Sequence, residues 1–445
     1  MNKEIFKAYD IRGIYPTEIN EEAAYAIGRA AVQVFNTKSI AIGRDVRESS
    51  PSMFAELSRG IMDAGCNVID LGVLTTPMVY FAAWQVPEAD MVISVTASHN
   101  PPQYNGMKFA LRNAVPVGEK SGLNDIRDIA LAGIFNEVAE KGVLSQQDIK
   151  PAYYDYFASF AQLGDKQFTI VVDTANAMGV LELEVYKRFP ENIKLVTLYD
   201  DIEHPFTAHE ANPLNLETLE ELQTKVLELN ADLGIAYDGD ADRVGFVDEK
   251  GEIISMDHAT GMLAKEMLRK NPGATILYDL RSSKAVKEVI EENGGTALEC
   301  KVGHANIKKQ MRDDGALFAG ELSGHYYFKE NSFAEAGSLA SIILLNLMVE
   351  TGKTISELAS DFKRYVHSGE INSDVENKDA VLAALKSKYA DGKMHELDGL
   401  KVEYPTWWFN VRPSNTEPLL RLNMEADTED LMKEKRDELL AIIRG

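Results

Sequence analysis

Residues 233–243 read Leu-Gly-Ile-Ala-Tyr-Asp-Gly-Asp-Ala-Asp-Arg: an apolar run that breaks into three carboxylates at alternate positions, Asp238, Asp240 and Asp242, closed by Arg243. The next residues, Val244-Gly-Phe-Val, are strand-like again, so the acidic segment is a tight loop between two strands. Three hard oxygen ligands on one loop suit a divalent ion of the Mg²⁺ type, since their mutual repulsion demands a cation or Arg243 close by. The calcium EF-hand is excluded. Glu249 falls at its twelfth position, but the sixth, where the turn needs glycine, is Arg243, and the flanks are strands rather than helices.

Working outward, the strand before this loop ends a unit of strand, helix, strand, helix, strand that occurs three times. The first copy runs from Ile40 through a helix (Ser52 to Ala64) and Val68-Ile-Asp to Met91-Val-Ile-Ser-Val. The second runs from Ile170 through Leu195-Val-Thr and a helix (Leu216 to Leu229) to Leu233-Gly-Ile-Ala-Tyr. The third runs from Ile276 through two helices (Lys284 to Asn293, Ala305 to Arg312) to Leu317-Phe-Ala. Such alternation predicts α/β domains, in which ligands collect at the carboxyl ends of parallel strands. There the copies carry Thr96-Ala-Ser-His-Asn-Pro, Asp238-Gly-Asp-Ala-Asp-Arg and Gly320-Glu-Leu-Ser-Gly-His, three polar loops that predict one shared site. From about Val366 the pattern changes to short strands with helices at Asp379 to Tyr389 and at the end of the chain, a separate α+β domain. Boundaries are expected near Lys150-Pro151, Lys250-Gly251 and Tyr365, dividing the chain into residues 1–150, 151–250, 251–365 and 366–445.

The composition fits a folded multidomain protein: 445 residues, 45% hydrophobic and 26% charged. Seventy acidic residues against 46 Lys+Arg give a formal net charge of −24, a field that repels nucleic acid and anionic membranes, so neither is an expected partner. The longest apolar run, Leu339 to Val349, is broken by Ser341 and Asn346 and is too short to span a membrane. The N-terminal Met-Asn-Lys-Glu-Ile-Phe-Lys has no apolar export region. Two cysteines, Cys66 and Cys300, cannot build a disulfide framework or a zinc site, so a cytoplasmic protein with buried thiols is expected.

Against that negative field, an anionic ligand needs local cations. Arg412-Pro-Ser-Asn-Thr-Glu-Pro, with Arg421 beyond it, offers guanidinium, hydroxyl and amide groups suited to phosphate oxygens. Lys301-Val-Gly-His304 and Glu321-Leu-Ser-Gly-His325 add an amine, a carboxylate and two imidazoles, and Arg12 and Lys108 are further cations near the first loop. Ser98, directly after a strand, is placed to act as a nucleophile or phosphate carrier if positive charge stabilises the phosphoryl group. Neither a Walker A loop nor a dinucleotide-binding Gly-x-Gly-x-x-Gly after a strand is present, and Ser98 is not in a Gly-x-Ser-x-Gly elbow.

Taken in order along the chain, these four motifs resemble the α-D-phosphohexomutase family, specifically its bacterial phosphomannomutase/phosphoglucomutase group. The resemblance implies three similar mixed-sheet α/β domains plus a C-terminal α+β domain, similar to the TATA-binding-protein fold, around a central cleft. It implies that residues 1–150 carry the phosphoserine, 151–250 the metal, 251–365 the sugar contacts and 366–445 a phosphate pocket. Ser98 resembles the phosphorylated serine; with Asp238, Asp240 and Asp242 it is similar to the ligand set of one Mg²⁺ ion, with His99 and Arg243 near the phosphoryl group. Arg12, Lys108 and His304 resemble residues at the transferring proton or phosphoryl group. Lys301, Glu321, Ser323, His325, Arg412, Ser414, Asn415, Thr416 and Arg421 resemble substrate-binding residues.

The implied reaction interconverts hexose 1-phosphate and hexose 6-phosphate, of mannose or glucose, with hexose 1,6-bisphosphate as intermediate and activator, in a monomer or weak dimer. Two segments depart from the family pattern: Phe206-Thr-Ala-His209, where Phe-Pro-x-His is common, and Phe333-Ala-Glu-Ala-Gly337. Leu322 resembles the Met-type residue of this group rather than the Gln of phosphoglucosamine mutases, which remain an alternative. So do a phosphatase working through a phosphoserine and a non-catalytic phosphosugar-binding protein.

Overall fold

In the computed structural model, which describes residues 1–413 and 419–445, the three-fold repeat is built as three sheets of one design. In the first, Met91–Val95 pairs in parallel with Ser39–Arg44, which pairs with Asn67–Val73, while Tyr104–Leu111 returns antiparallel beside Met91–Val95. In the second, Leu233–Tyr237 is parallel to Phe168–Asp173 and antiparallel to Val244–Val247. In the third, Phe318–Gly320 is parallel to Thr275–Asp279 and antiparallel to Tyr326–Phe328. Each polar loop singled out above is therefore the turn from the last parallel strand into its antiparallel neighbour.

The central strands are short and apolar because both faces are covered; every residue of Met91–Val95 and Leu233–Tyr237 is buried. Strand Ile253–Ile254, beyond the expected boundary at 250–251, still belongs to the second sheet, where it pairs with Val244–Val247. The C-terminal region forms a six-stranded antiparallel sheet around Trp407–Pro413 and Leu419–Ala426, covered by helices Lys378–Lys388 and Glu429–Arg444. Of Met432, Leu439, Leu440 and Ile443, whose helical spacing predicts packing on this sheet, the first two and Ile443 are buried in its core and Leu440 is partly buried against it.

One apolar core runs without a break from Ala41 in the first domain to Phe362 at the end of the third, whereas the fourth domain packs around its own cluster. Helix Gly337–Thr351, the longest apolar run, is part of the shared core. No single helix among the described residues is long and apolar enough to cross a membrane. Both cysteines are free and buried.

The first two domains meet at a buried carboxyl. Glu182, in helix Gly179–Tyr186, accepts hydrogen bonds from the Thr75 hydroxyl at 2.8 Å and the Tyr153 hydroxyl at 3.0 Å. Burial outweighs those donors and pushes its carboxyl from the ordinary 4.5 up to about 7. A group that holds its proton more tightly when folded makes the fold less stable as pH rises. Its contribution therefore falls from about pH 4.5 to about pH 7 and is level above that. Glu182→Gln should remove this part of the pH dependence, so thermal unfolding at pH 5 and pH 8 is expected to give a smaller loss of Tm than in the wild type.

Candidate active site

The loop that follows Met91–Val95 is held from both ends. Ser98 adopts a left-handed backbone (φ 52°), unusual for a residue with a side chain, and its N–H donates to Thr96 Oγ1 at 3.0 Å. The conformation is fixed by Arg47, whose guanidinium is fully buried. It donates to the carbonyls of Ser98, Asn100 and Pro101, each at 2.7 Å, and of Tyr104 at 3.1 Å. Asp45 locks that guanidinium from below (Nε to Oδ2, 2.9 Å), and the Phe206 ring covers it 4.6 Å away. Five saturated donors make this loop rigid. Gly239 of the second domain approaches the Ser98 carbonyl so closely that a Cβ there would lie 2.3 Å from it.

That approach brings the acidic loop against Ser98. The Ser98 hydroxyl lies 3.1 Å from Asp238 Oδ2 and 3.3 Å from His99 Nδ1. Carboxylate oxygens of Asp238, Asp240 and Asp242 all lie within 4.8 Å of one another, and all three residues are buried. Lys108, from the returning strand of the first sheet, donates to Asp240 at 2.6 Å and to Asp242 at 2.5 Å; Thr76 donates to Asp240 at 2.6 Å. Burial opposes the Lys108 charge, but the two carboxylates outweigh it and hold the amine well above its usual range. Burial and the charges of Asp242 and Asp240 push Asp238 up, the response of a carboxylate short of positive charge. Asp240 Oδ1 is buried with no hydrogen-bond partner among the described residues. A hard divalent cation fits this donor set, because it answers both the crowding and the orphaned oxygen.

Cations and imidazoles ring the serine. Arg12 donates to Asn100 Oδ1 at 2.6 Å and to Asp10 at 2.5 Å; the Arg243 Nε lies 3.9 Å from Asp238. Burial, with Arg243 and Arg12 beside it, holds His99 down to about 2, so its ring is neutral. His304 is kept neutral in the same way, by burial and by Lys308 and Lys108; its ring meets Tyr9 edge-on at 5.5 Å. His325 is the opposite case. Burial works against its charge, yet Asp242 at 3.2 Å and Glu321 at 3.3 Å lift it to about 9. Its Nδ1 also meets the Ser323 hydroxyl at 2.7 Å. Burial likewise opposes the Glu321 charge, but the His325 hydrogen bond and the Arg281 guanidinium keep that carboxyl well below the usual range.

Arg281 leads to the fourth domain. Its guanidinium lies 4.0 Å from Glu321 and 3.5 Å from Glu370; Glu370 in turn contacts Arg412 at 3.2 Å and Arg421 at 3.0 Å. From the hydrogen bond between Ser98 and Asp238 and the neighbouring Asp242, charged contacts run through His325, Glu321, Arg281 and Glu370 to Arg412, touching all four domains. Of the residues expected from sequence, these motifs come together as a site, with Lys108 and Arg12 inside it. Lys301 is exposed and makes no hydrogen bond or ion pair among the described residues; its charge acts on Asp398. Ser414, Asn415 and Thr416 lie outside the described residues.

Several residues of this network carry no signal in sequence. Arg47, Asp45 and Glu370 lie in none of the motifs singled out in the sequence. Lys308 and Glu335 form a fully buried ion pair at 2.6 Å, with Lys308 over the Tyr80 ring; Glu335 lies in the divergent Phe333–Gly337 segment. In the other divergent segment, His209 is tied to Asp173 at 3.0 Å while Phe206 roofs Arg47.

Comparison with known proteins agrees with this architecture over the whole chain. Residues 3–137, 151–251 and 255–365 match the three alpha/beta/alpha domains, I, II and III, described for phosphoglucomutase/phosphomannomutase, and residues 370–442 match that family's C-terminal domain. A phosphomannomutase of Methanocaldococcus jannaschii is 40% identical, covering 99% of this chain and 97% of its own. A phosphomannomutase/phosphoglucomutase of Pseudomonas aeruginosa is 36% identical, covering 96% and 92%. The crystal structure of a phosphoglucomutase/phosphomannomutase family protein from Burkholderia thailandensis superposes with a TM-score of 0.91 at 31% identity, covering 99% of this chain and 97% of that one. With four matching domains in the same order and full-length relatives above 30% identity, the chain belongs to the phosphoglucomutase/phosphomannomutase family.

Proposed function

We infer that the chain is a phosphohexomutase that interconverts hexose 1-phosphate and hexose 6-phosphate, of mannose or glucose, through a phosphoryl group carried on Ser98. The observation that carries this reading is the Ser98 hydroxyl, fixed in a left-handed turn 3.1 Å from Asp238 at the edge of a buried acidic loop. In one direction the bond from phosphorus to the serine oxygen breaks as a sugar hydroxyl oxygen bonds to phosphorus and loses its proton. The resulting hexose 1,6-bisphosphate turns over in the cleft, and its other phosphate returns to Ser98. The same bisphosphate, taken up from solution, phosphorylates a free Ser98 and so acts as activator.

Asp238, Asp240, Asp242 and an oxygen on Ser98 would hold a single Mg²⁺ ion, which would supply positive charge to the transferring group. Around it, Arg243, Arg12 and the permanently charged Lys108 stabilise phosphoryl oxygens. His99 and His304, kept neutral by burial and nearby cations, meet the reacting groups as uncharged hydrogen-bonding partners, whereas the protonated His325 is a donor. Glu321, Ser323, His325 and Lys301 grip the sugar. Arg412, Ser414, Asn415, Thr416 and Arg421 hold the phosphate that is not reacting. This assigns phosphoryl, metal, sugar and phosphate binding to residues 1–150, 151–250, 251–365 and 366–445 in turn, in a cytoplasmic protein active as a monomer or weak dimer.

Ser98→Ala should lower turnover by at least about 10³-fold, since a covalent carrier cannot be replaced by binding alone. A ³¹P NMR time course with mannose 1-phosphate, glucose 1-phosphate and glucosamine 1-phosphate checks this and ranks the sugars; accumulation of free phosphate in step with substrate loss would make the protein a phosphatase. Chelation with EDTA should stop the reaction and added Mg²⁺ restore it, with Asp240→Asn raising the Mg²⁺ concentration needed for half-maximal rate by about tenfold or more. Arg47→Lys keeps the charge but loses the fork that holds four carbonyls. It is expected to cost about 10²-fold in kcat with little change in KM, measured by steady-state kinetics.

A further inference from the structure

Glu370 immediately precedes strand Ile371–Asp374 in the fourth domain, and its carboxylate is surrounded by three guanidiniums from two domains. Oε1 lies 3.0 Å from Arg421 Nη1, and Oε2 lies 3.2 Å from Arg412 Nη2 and 3.5 Å from Arg281 Nη1. Arg281 belongs to the third domain, where Asp279 grips it at the end of strand Thr275–Asp279. The cluster is half-open: the Glu370 side chain is 25% exposed and that of Arg412 13%. Arg412 Nε, also buried, has no hydrogen-bond partner among the described residues. Burial works against the Glu370 charge, but Arg412, Arg281 and Arg421 hold its carboxyl below the ordinary range, so it stays ionised.

Two oxygens divided among several guanidiniums are an arrangement that a phosphate also offers, with one more oxygen and up to twice the charge. Both anions need the same donors of Arg412 and Arg421. We propose that Glu370 is a resident anion of the phosphate pocket, which an incoming phosphate displaces from Arg412 and Arg421, breaking the Glu370–Arg281 tie between the third and fourth domains. This rests on the reading of Arg412 and Arg421 as the phosphate pocket. The exchange weakens phosphate binding, because the carboxylate competes for the donors, and it shortens the residence of any phosphate held there. A bisphosphate that has to let go of this pocket with one end and return with the other gains from such a competitor. Entry and release of phosphate are thereby coupled to the freedom of the fourth domain, whose core is separate from the rest.

The test is calorimetric titration of the full chain with inorganic phosphate, in EDTA so that the acidic loop contributes no second site. Glu370→Gln should bind phosphate about tenfold more tightly than the wild type, because a charged competitor becomes a neutral one. Unchanged or weaker binding would overturn the proposal and leave Glu370 as a residue that orders the arginines. Arg412→Ala separates the two readings: if it binds phosphate as well as the wild type, the pocket assignment itself fails, whatever Glu370 does. A second measurement needs no change at Glu370. Spin labels on cysteines placed at the exposed Glu291 and Ser387, one in each domain, should report a phosphate-dependent change in their distance, since Cys66 and Cys300 are buried. A distance distribution that phosphate leaves in place would overturn the domain coupling.

Discussion

Three buried carboxylates on one short loop cannot share a site unless other parts of the molecule bring positive charge to them. That requirement organises the structure. Lys108 and Thr76 come to Asp240 and Asp242 from the first domain, and His325 comes to Asp242 from the third. Gly239 lets the same loop press against the backbone of Ser98. Each contact neutralises or satisfies a group that would otherwise cost several kcal/mol to bury, and each also sets the position of one domain against the next. The electrostatic demand of the second domain thus does part of the work of assembling the site.

From this centre, charges alternate in sign outward to the fourth domain. His325 is held protonated between Asp242 and Glu321, Arg281 follows, and Glu370 then faces Arg412 and Arg421. Alternation in a poorly solvated cleft keeps each ionised group within reach of a partner, but leaves donors that an anionic ligand can take over. A chain with net charge −24 can accept phosphorylated sugars for this reason: Lys108, Arg243, His325, Arg281, Arg412 and Arg421 are drawn into one network.

Most of the architecture was legible because it repeats. Strands such as Met91–Val95 and Leu233–Tyr237 are short apolar runs ending in polar loops, and that boundary is marked in any one-dimensional reading. The acidic loop, Ser98 and His325 were visible as polar residues directly after apolar runs, and Arg12 and Lys108 as cations in a chain of negative charge. What stayed hidden are residues whose importance lies in a distant partner. Arg47 matters because of carbonyls about fifty positions away, Glu182 because of Thr75 and Tyr153, and Glu370 because of three arginines that the chain brings together only when folded. No spacing rule links such residues. Lys301 was marked by its motif; it is exposed, and its charge is felt by Asp398.

The unbroken core from Ala41 to Phe362 also bears on synthesis. The helix Gly337–Thr351 fills space between surfaces of domains made more than a hundred residues earlier, so those surfaces stay open until it leaves the ribosome. At ordinary rates of translation that interval is on the order of ten seconds. During it the second-domain face around Tyr153, Glu182 and Tyr186, which Ser338 and Ser341 of that helix cover, is open to solvent and to chaperones, while the first domain's core around Ile27, Leu57 and Ile93 can already close. The nascent chain therefore carries an unfinished second domain until the third is nearly complete, whereas the fourth domain, with a core of its own, can close last without opening that shared core.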